Sequence, residues 1–399
     1  VIAYCGATVI DGTGATARPE TTVLVDGDVI SAVGRSETVD LAPATECVDL
    51  SGQFLLPGLI DTHQHLATPP DRPFAEAMLR RDLYGGITAV RDMADDLRLV
   101  GDLTRATLVG ELAGPDIYYA ALMAGPSFFD DPRTWEVCQG AIPGAAPWMQ
   151  AITEDTDLPL AVARAAGTNA VAIKIYANLP AVLVQAITAE AHRQGLLVWA
   201  HGMVFPATPA EVIQAGVDSV SHVNYLAYQA SERRPTSYQG KFPIEQAAVA
   251  GGDNAVLAGL FEQMRQRGTV LDATNRLYAG ADAELGAALT RQAFQAGVDI
   301  CTGTDGFSAD EDPFPALYDE LRILHENVGM PAEQVIRSAT LVGAMSLGQV
   351  HTMGTIEPGK LANFAVLAEN PLLDMGNLRS ITCTVKRGRR YERTEYATC

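Results

Sequence analysis

The stretch Pro57-Gly58-Leu59-Ile60-Asp61-Thr62-His63-Gln64-His65-Leu66 holds two histidines two residues apart. The apolar run from Phe54 to Ile60 reads as a buried strand leading into them. Side chains on a strand alternate faces, so His63 and His65 point the same way. Two imidazoles converging at the C-terminal end of a strand make half of a metal site. The plain alternative is a pair of histidines in a polar turn.

Other chemistry-bearing residues sit in similar places. Lys174 lies inside Ala170-Val171-Ala172-Ile173-Lys174-Ile175-Tyr176, where an unpaired ammonium would cost several kcal/mol. The chain has only 4 Lys against 24 Arg, which makes a buried one conspicuous. One reading is a buried ion pair. The other is a lysine of depressed pKa whose amine reacts with CO2 to give a carbamate, an anionic bridge between two cations. Asp305, in Cys301-Thr302-Gly303-Thr304-Asp305, suits a ligand that also takes a proton from metal-bound water; the plain reading is a helix N-cap. His201 and His222 each close a short apolar run. Of the seven His, the other three read as structural or solvated: His192 and His325 on helix faces, and His351 without an evident partner.

The elements that must hold these residues follow a pattern. Short apolar runs at 54–61, 87–92, 116–123, 169–176, 196–201, 217–222, 269–275 and 298–305 alternate with amphipathic stretches. Ala181 to Gln194 and Ala283 to Ala296 are two such stretches, each followed by a Gly. Eight strand-helix units over about 250–300 residues predict an α/β fold, a (β/α)8 TIM barrel, whose chemistry sits at the C-terminal strand ends. His63, His65, Lys174, His201, His222 and Asp305 all fall at or near those ends. The long segments 124–160 and 227–258 are expected to cover that mouth. Residues 1–56 and 354–399 are rich in short strands and turns, and they predict one small discontinuous β-sandwich flanking a barrel of 57–353.

Composition sets the frame. The chain has 399 residues, 48% of them hydrophobic and 19% charged, as expected of a soluble globular protein with a large core. Its net charge of −20 argues against nucleic acid. No apolar run approaches the roughly 20 residues that span a bilayer. Cys5, Cys47, Cys138, Cys301, Cys383 and Cys399 are scattered, so mostly free thiols are expected. The first residue is Val1, and the reading is a cytoplasmic protein whose Met was trimmed, with a removed leader as the alternative.

Taken with Gly86-Ile87-Thr88-Ala89-Val90-Arg91-Asp92, Ala200-His201-Gly202, Ser221-His222 and Gly354-Thr355-Ile356-Glu357-Pro358-Gly359-Lys360-Leu361-Ala362, the motifs above give the chain a resemblance. It resembles the metal-dependent amidohydrolase superfamily, and within it the imidazolonepropionase-like and Xaa-Pro dipeptidase-like members. The resemblance implies two divalent ions, Zn2+ foremost: His63, His65 and Asp305 on one, His201 and His222 on the other, and carboxylated Lys174 bridging. Asn363 departs from the pattern, since relatives usually carry Asp there; it lies in the terminal sandwich, away from the chemistry.

A pair of ions sharing a hydroxide lowers water's pKa and polarises a carbonyl. Asp305 is the expected proton shuttle, and Tyr225, ahead of Tyr176, the expected oxyanion donor. The expected activity is hydrolysis of a C–N amide or peptide bond in a small molecule, a dipeptide or N-acyl amino acid. The alternatives are a carbamate or urea hydrolase, a lactonase, and a non-catalytic metal scaffold. A deaminase is disfavoured because single-metal deaminases of the superfamily do not need the lysine. A homo-oligomer is expected, with no nucleic-acid or membrane partner. The loop Asp310-Glu311-Asp312 reads as a solvated turn or an attractor of a cationic substrate end.

Overall fold

The computed structural model describes residues 1–396, apart from 44, 245–248, 250, 253 and 309–311. Asp310 and Glu311 of the acidic loop, and Cys399, therefore lie outside the described residues. Asp312 is described, and it pairs with Arg379 at 3.0 Å.

The barrel strands are Leu59–Gln64, Ile87–Asp92, Asp116–Ala124, Ala172–Ile175, Leu197–His201, Ser219–Ser221, Val270–Asp272 and Ile300–Cys301. Each pairs in parallel with the next. The backbone of Thr62 donates to the carbonyl of Thr302 at 2.8 Å, which brings the last strand back to the first. Helices cover the outside, so these strands are buried on both faces, and apolar runs rather than alternation are the expected signature. The helix starts are written in the sequence. Asp71 caps Arg72–Tyr84, Asp157 caps Leu158–Ala166, and Thr208 with Glu211 forms a capping box on Pro209–Gln214. The two amphipathic stretches form helices Ala181–Arg193 and Ala281–Gln295.

Both chain ends build a second, mostly antiparallel sheet. Ile2–Val9, Arg18–Asp26, Val29–Arg35, Glu46–Asp49 and Phe54–Pro57 join Phe364–Leu367, Ile381–Lys386 and Arg389–Glu392. The seam between the ends is Phe54–Pro57 against Phe364–Leu367, and a small core of Tyr4, Val23, Ile30, Leu55 and Phe364 lies behind it.

One expectation needs correction here. The run 54–61 is not one strand: it divides at Gly58 between the terminal sheet and the barrel. A Cβ at Gly58 would lie 2.1 Å from Thr88 Oγ1, so only glycine lets the chain change sheets at this point. Most of the described thiols are free, as expected, but Cys5 and Cys47 form a disulfide. Parallel pairing of Ile2–Val9 with Glu46–Asp49 brings their Cα atoms to 6.5 Å, a proximity hidden by 42 residues of intervening sequence. Cys138, Cys301 and Cys383 are free and buried. Among the described residues no helix is long and apolar enough to cross a membrane.

Candidate active site

All six of the expected ligand residues line one cavity of about 340 Å³ at the C-terminal mouth of the barrel. They are brought there from five strands. His63 is on the first strand and His65 just past it; Lys174 is on the fourth, His201 ends the fifth, His222 follows the sixth and Asp305 follows the eighth.

Asp305 is the focus. Its Oδ1 lies 3.4 Å from His65 Nε2 and 3.7 Å from His63 Nε2, and its Oδ2 lies 3.8 Å from His222 Nε2. Ligand-type atoms of His63, His222 and Asp305 lie within 4.8 Å of one another. Asp305 is not a helix N-cap; it stands in a left-handed backbone conformation with φ 44°, its amide donating to the His63 carbonyl at 2.9 Å. His222 and Thr274 share that strained region, with φ 71° and 50°. Each such residue costs about 1–3 kcal/mol and persists only where its surroundings over-determine it.

Those surroundings are visible. His63 Nδ1 meets Asp272 Oδ2 at 2.6 Å, His65 Nδ1 meets Asp95 Oδ1 at 2.7 Å, and His222 Nδ1 meets Thr274 Oγ1 at 3.0 Å. Occupying Nδ1 in this way leaves each Nε2 turned toward Asp305, the arrangement that metal-binding histidines adopt. Asp272, which ends the seventh strand, also accepts from Ser221 Oγ at 2.9 Å and from Arg91 Nη2 at 3.0 Å. Arg91 is fully buried; it donates to Ser219 Oγ at 2.9 Å and stacks 4.6 Å from the Trp199 ring centroid. Gly303 makes room for this knot, since a Cβ there would meet Asp272 Oδ1 at 2.2 Å and His63 Cβ at 2.6 Å.

The charges are tuned by burial and by each other. Burial, then the Arg91 guanidinium, pulls the Lys174 ammonium down to about 7. Lys174 Nζ has Ser221 Oγ at 3.4 Å, and among the described residues it makes no ion pair, so the buried-salt-bridge reading is not what the structure shows. Burial also lowers His63, takes His222 to about 3 and holds His201 well below the ordinary imidazole range. Burial works against the Asp305 carboxylate, yet His63, His65 and His222 keep it far below the usual range and therefore ionised. Asp272, despite burial, is held at about 2 by His63 and Arg91.

The expected oxyanion donors lie close by. Tyr225 lines the cavity, its ring 5.7 Å from those of His201 and His222, and its hydroxyl accepts from Lys241 Nζ at 3.0 Å. Tyr176 packs with its centroid 4.0 Å from that of His201. The long segments do shape the mouth: Phe128, Val137 and Met149 come from one, and Tyr238 from the other. The remaining histidines stand apart. His192 is bonded to Asp218 at 2.9 Å and His325 to the Met330 carbonyl at 2.9 Å, while His351 is exposed.

Asp272 and Asp95 were not singled out from the sequence. Asp272 lies inside the run 269–275 and ends the strand only in the folded chain; an acid within an apolar run, weighed as Lys174 was, is the signal that would have reached it. Asp272→Ala is expected to lower stability by about 3–5 kcal/mol, because it strands the buried Arg91 charge and frees His63. Urea unfolding measures this; a loss under about 1 kcal/mol would show that the knot is not held through Asp272.

The residues fit a divalent-metal site. Imidazole and carboxylate donors converge, and His201 Nδ1 is buried without a hydrogen-bond partner among the described residues. The chain is similar to several known proteins. A solved Xaa-Pro dipeptidase with methionine bound in its active site superposes with a TM-score of 0.77 at 21% identity, covering 98% of this chain and 99% of that one. Imidazolonepropionase of Fusobacterium nucleatum subsp. nucleatum is 52% identical over 46 residues, a stretch of only 11% of either chain. A 5-methylthioadenosine/S-adenosylhomocysteine deaminase of Halobacterium salinarum is 26% identical over 383 residues, 89% of this chain and 82% of that one. Amidohydrolases as a family generally bind divalent metals, and their sequence profile matches residues 54–391, the whole of the barrel and part of the terminal sheet; the chain belongs to the Amidohydrolase family.

Proposed function

We propose that this protein is a binuclear-metal hydrolase of C–N bonds, acting on a small amide or peptide such as a dipeptide or an N-acyl amino acid. One observation carries the reading: six ligand-type side chains from five strand ends meet in one cavity, with the Nδ1 atoms of His63, His65 and His222 already engaged. His63, His65 and Asp305 would hold one ion, His201 and His222 the other, and carboxylated Lys174 would join them. When bound, the ions would supply Lewis acidity and make water nucleophilic near neutral pH.

The chain's own groups do the rest. Asp305, ionised and facing three imidazoles, accepts the proton of the attacking water and returns it to the departing nitrogen, acting as base and then acid. Lys174, neutral above about pH 7, adds through its amine to CO2 and sheds one proton, leaving a carbamate anion. Tyr225 offers a hydroxyl for the developing oxyanion, its own proton firmly held because burial raises it.

Protein purified without chelator is expected to carry close to two equivalents of divalent metal, zinc foremost, by elemental analysis. Screening that preparation against dipeptides, N-acyl amino acids, ureas and lactones tests the substrate class. A metal-free preparation with full activity would overturn the binuclear reading, and turnover of lactones alone would overturn the C–N assignment.

A further inference from the structure

One flank of the cavity has a different character from the rest. The Asp305 side bristles with imidazoles, and the Tyr225 side carries hydroxyls with an ammonium at its edge. The flank built on the ends of the second and third strands is mainly hydrocarbon and thioether: Met93, Leu122, Phe128, Val137 and Met149, each 9% exposed or less, although Asp95, Asp131, Arg133 and Thr134 of the same segments also line the cavity. Arg133, a charged neighbour on this side, makes a twofold ion-paired contact with Asp131.

The flank is also held in shape. Met149–Ala151 adds a short parallel strand beside the third barrel strand, with Met149 opposite Leu122. Helix Arg133–Cys138, which carries Val137, is tethered by Arg98, whose Nη2 donates to the Cys138 carbonyl at 2.9 Å and the Gln139 carbonyl at 3.0 Å. The Arg98 guanidinium also lies 4.9 Å from the Trp148 ring centroid. A pre-formed apolar recess next to convergent polar groups is the usual construction of a small-molecule subsite. Two thioethers give it tolerance for shape but not for charge.

We propose that this recess, Met93, Leu122, Phe128, Val137 and Met149, is the subsite for the acyl part of the substrate, and that it selects an uncharged, apolar acyl group of several carbons. The proposal rests on the C–N hydrolase reading for the word acyl. The polar flank is left for the leaving amine and whatever charge it carries. Acetyl-type substrates would underfill the recess, and acyl groups bearing a carboxylate or an ammonium would be excluded by unpaired charge, which within the C–N hydrolase reading narrows the substrate to N-acyl amino acids and related amides and away from dipeptides with a free amino end.

The test uses the metal-replete full chain and the straight-chain carboxylates acetate to octanoate, which correspond to acyl products. Calorimetric Kd is expected to fall by about fourfold for each methylene buried, until the recess is full. Met149→Trp and Val137→Trp, two separate fillings of the recess, are each expected to end that trend at a shorter chain. In the substrate screen, each variant should lower the ratio of kcat/KM for long over short acyl groups at least tenfold. Affinity independent of chain length, or a trend left intact by both substitutions, overturns the proposal. Length-dependent binding with no C–N substrate turned over at any length would instead overturn the hydrolase reading and leave an apolar-acid site standing.

Discussion

Asp305→Asn is expected to lower kcat by about 10²-fold or more while leaving the fold in place, the usual scale for losing a positioned acid–base. The amide nearly matches the carboxylate in size, and asparagine tolerates the left-handed conformation that Asp305 adopts with φ 44°. What is lost is charge. Three imidazoles face Asp305 within 3.4–3.8 Å and keep it ionised, and an amide neither accepts a proton readily nor balances those rings. Metal content measured beside kcat and KM separates the two roles. Metal retained with turnover collapsed fits a shuttle. Metal and turnover both near wild type would remove Asp305 from the proton path.

Lys174→Ala is expected to abolish measurable turnover and to reduce bound metal, with partial rescue by short carboxylic acids able to occupy the vacated place. The reason lies in the lysine's surroundings. It is 1% exposed, it bonds to Ser221 Oγ at 3.4 Å, and no carboxylate of the described residues lies within ion-pair distance, Asp272 and Asp305 acting on it only from farther off. A cation there would repel two others; a carbamate would attract both. The neutral amine is the form that adds to CO2. Carboxylation of metal-stripped protein should therefore rise as pH is raised through about 7, where Lys174 loses its proton. Electron density ending at Nζ in a metal-loaded crystal would refute the carbamate.

The site was legible because its residues break local rules. A lysine inside an apolar strand and histidines at strand ends stand out against what the surrounding runs require. The residues that orient them do not. Asp272 is a short acid inside one ordinary run and Asp95 a short acid just past another, and their importance comes from what they meet in the fold, more than two hundred residues away for Asp272 and His63. Barrel strands show as apolar runs because helices bury both their faces, but a run cannot tell which sheet it belongs to. Hence Phe54–Pro57 and Leu59–Gln64 merged into one, although Gly58 divides them. Tyr238 reaches the cavity from a long connection without periodicity, and only the folded chain reveals where its tip lies. The Cys5–Cys47 pair likewise depends on a strand register that spacing does not encode.

The seam in the terminal sheet has a consequence for the order of assembly. Phe54–Pro57 runs into the first barrel strand with only Gly58 between, and its antiparallel partner is Phe364–Leu367. On a ribosome that partner appears on the order of 300 residues later, about 15–60 s at ordinary elongation rates. For that interval the exposed edge of Phe54–Pro57, with Leu55 and Leu56 beside it, waits unpaired at the base of the strand that carries His63. The nascent chain is thus most prone to stick to its neighbours until its final segment arrives, and a nonsense codon late in the message would leave every ligand residue synthesised yet that edge permanently open.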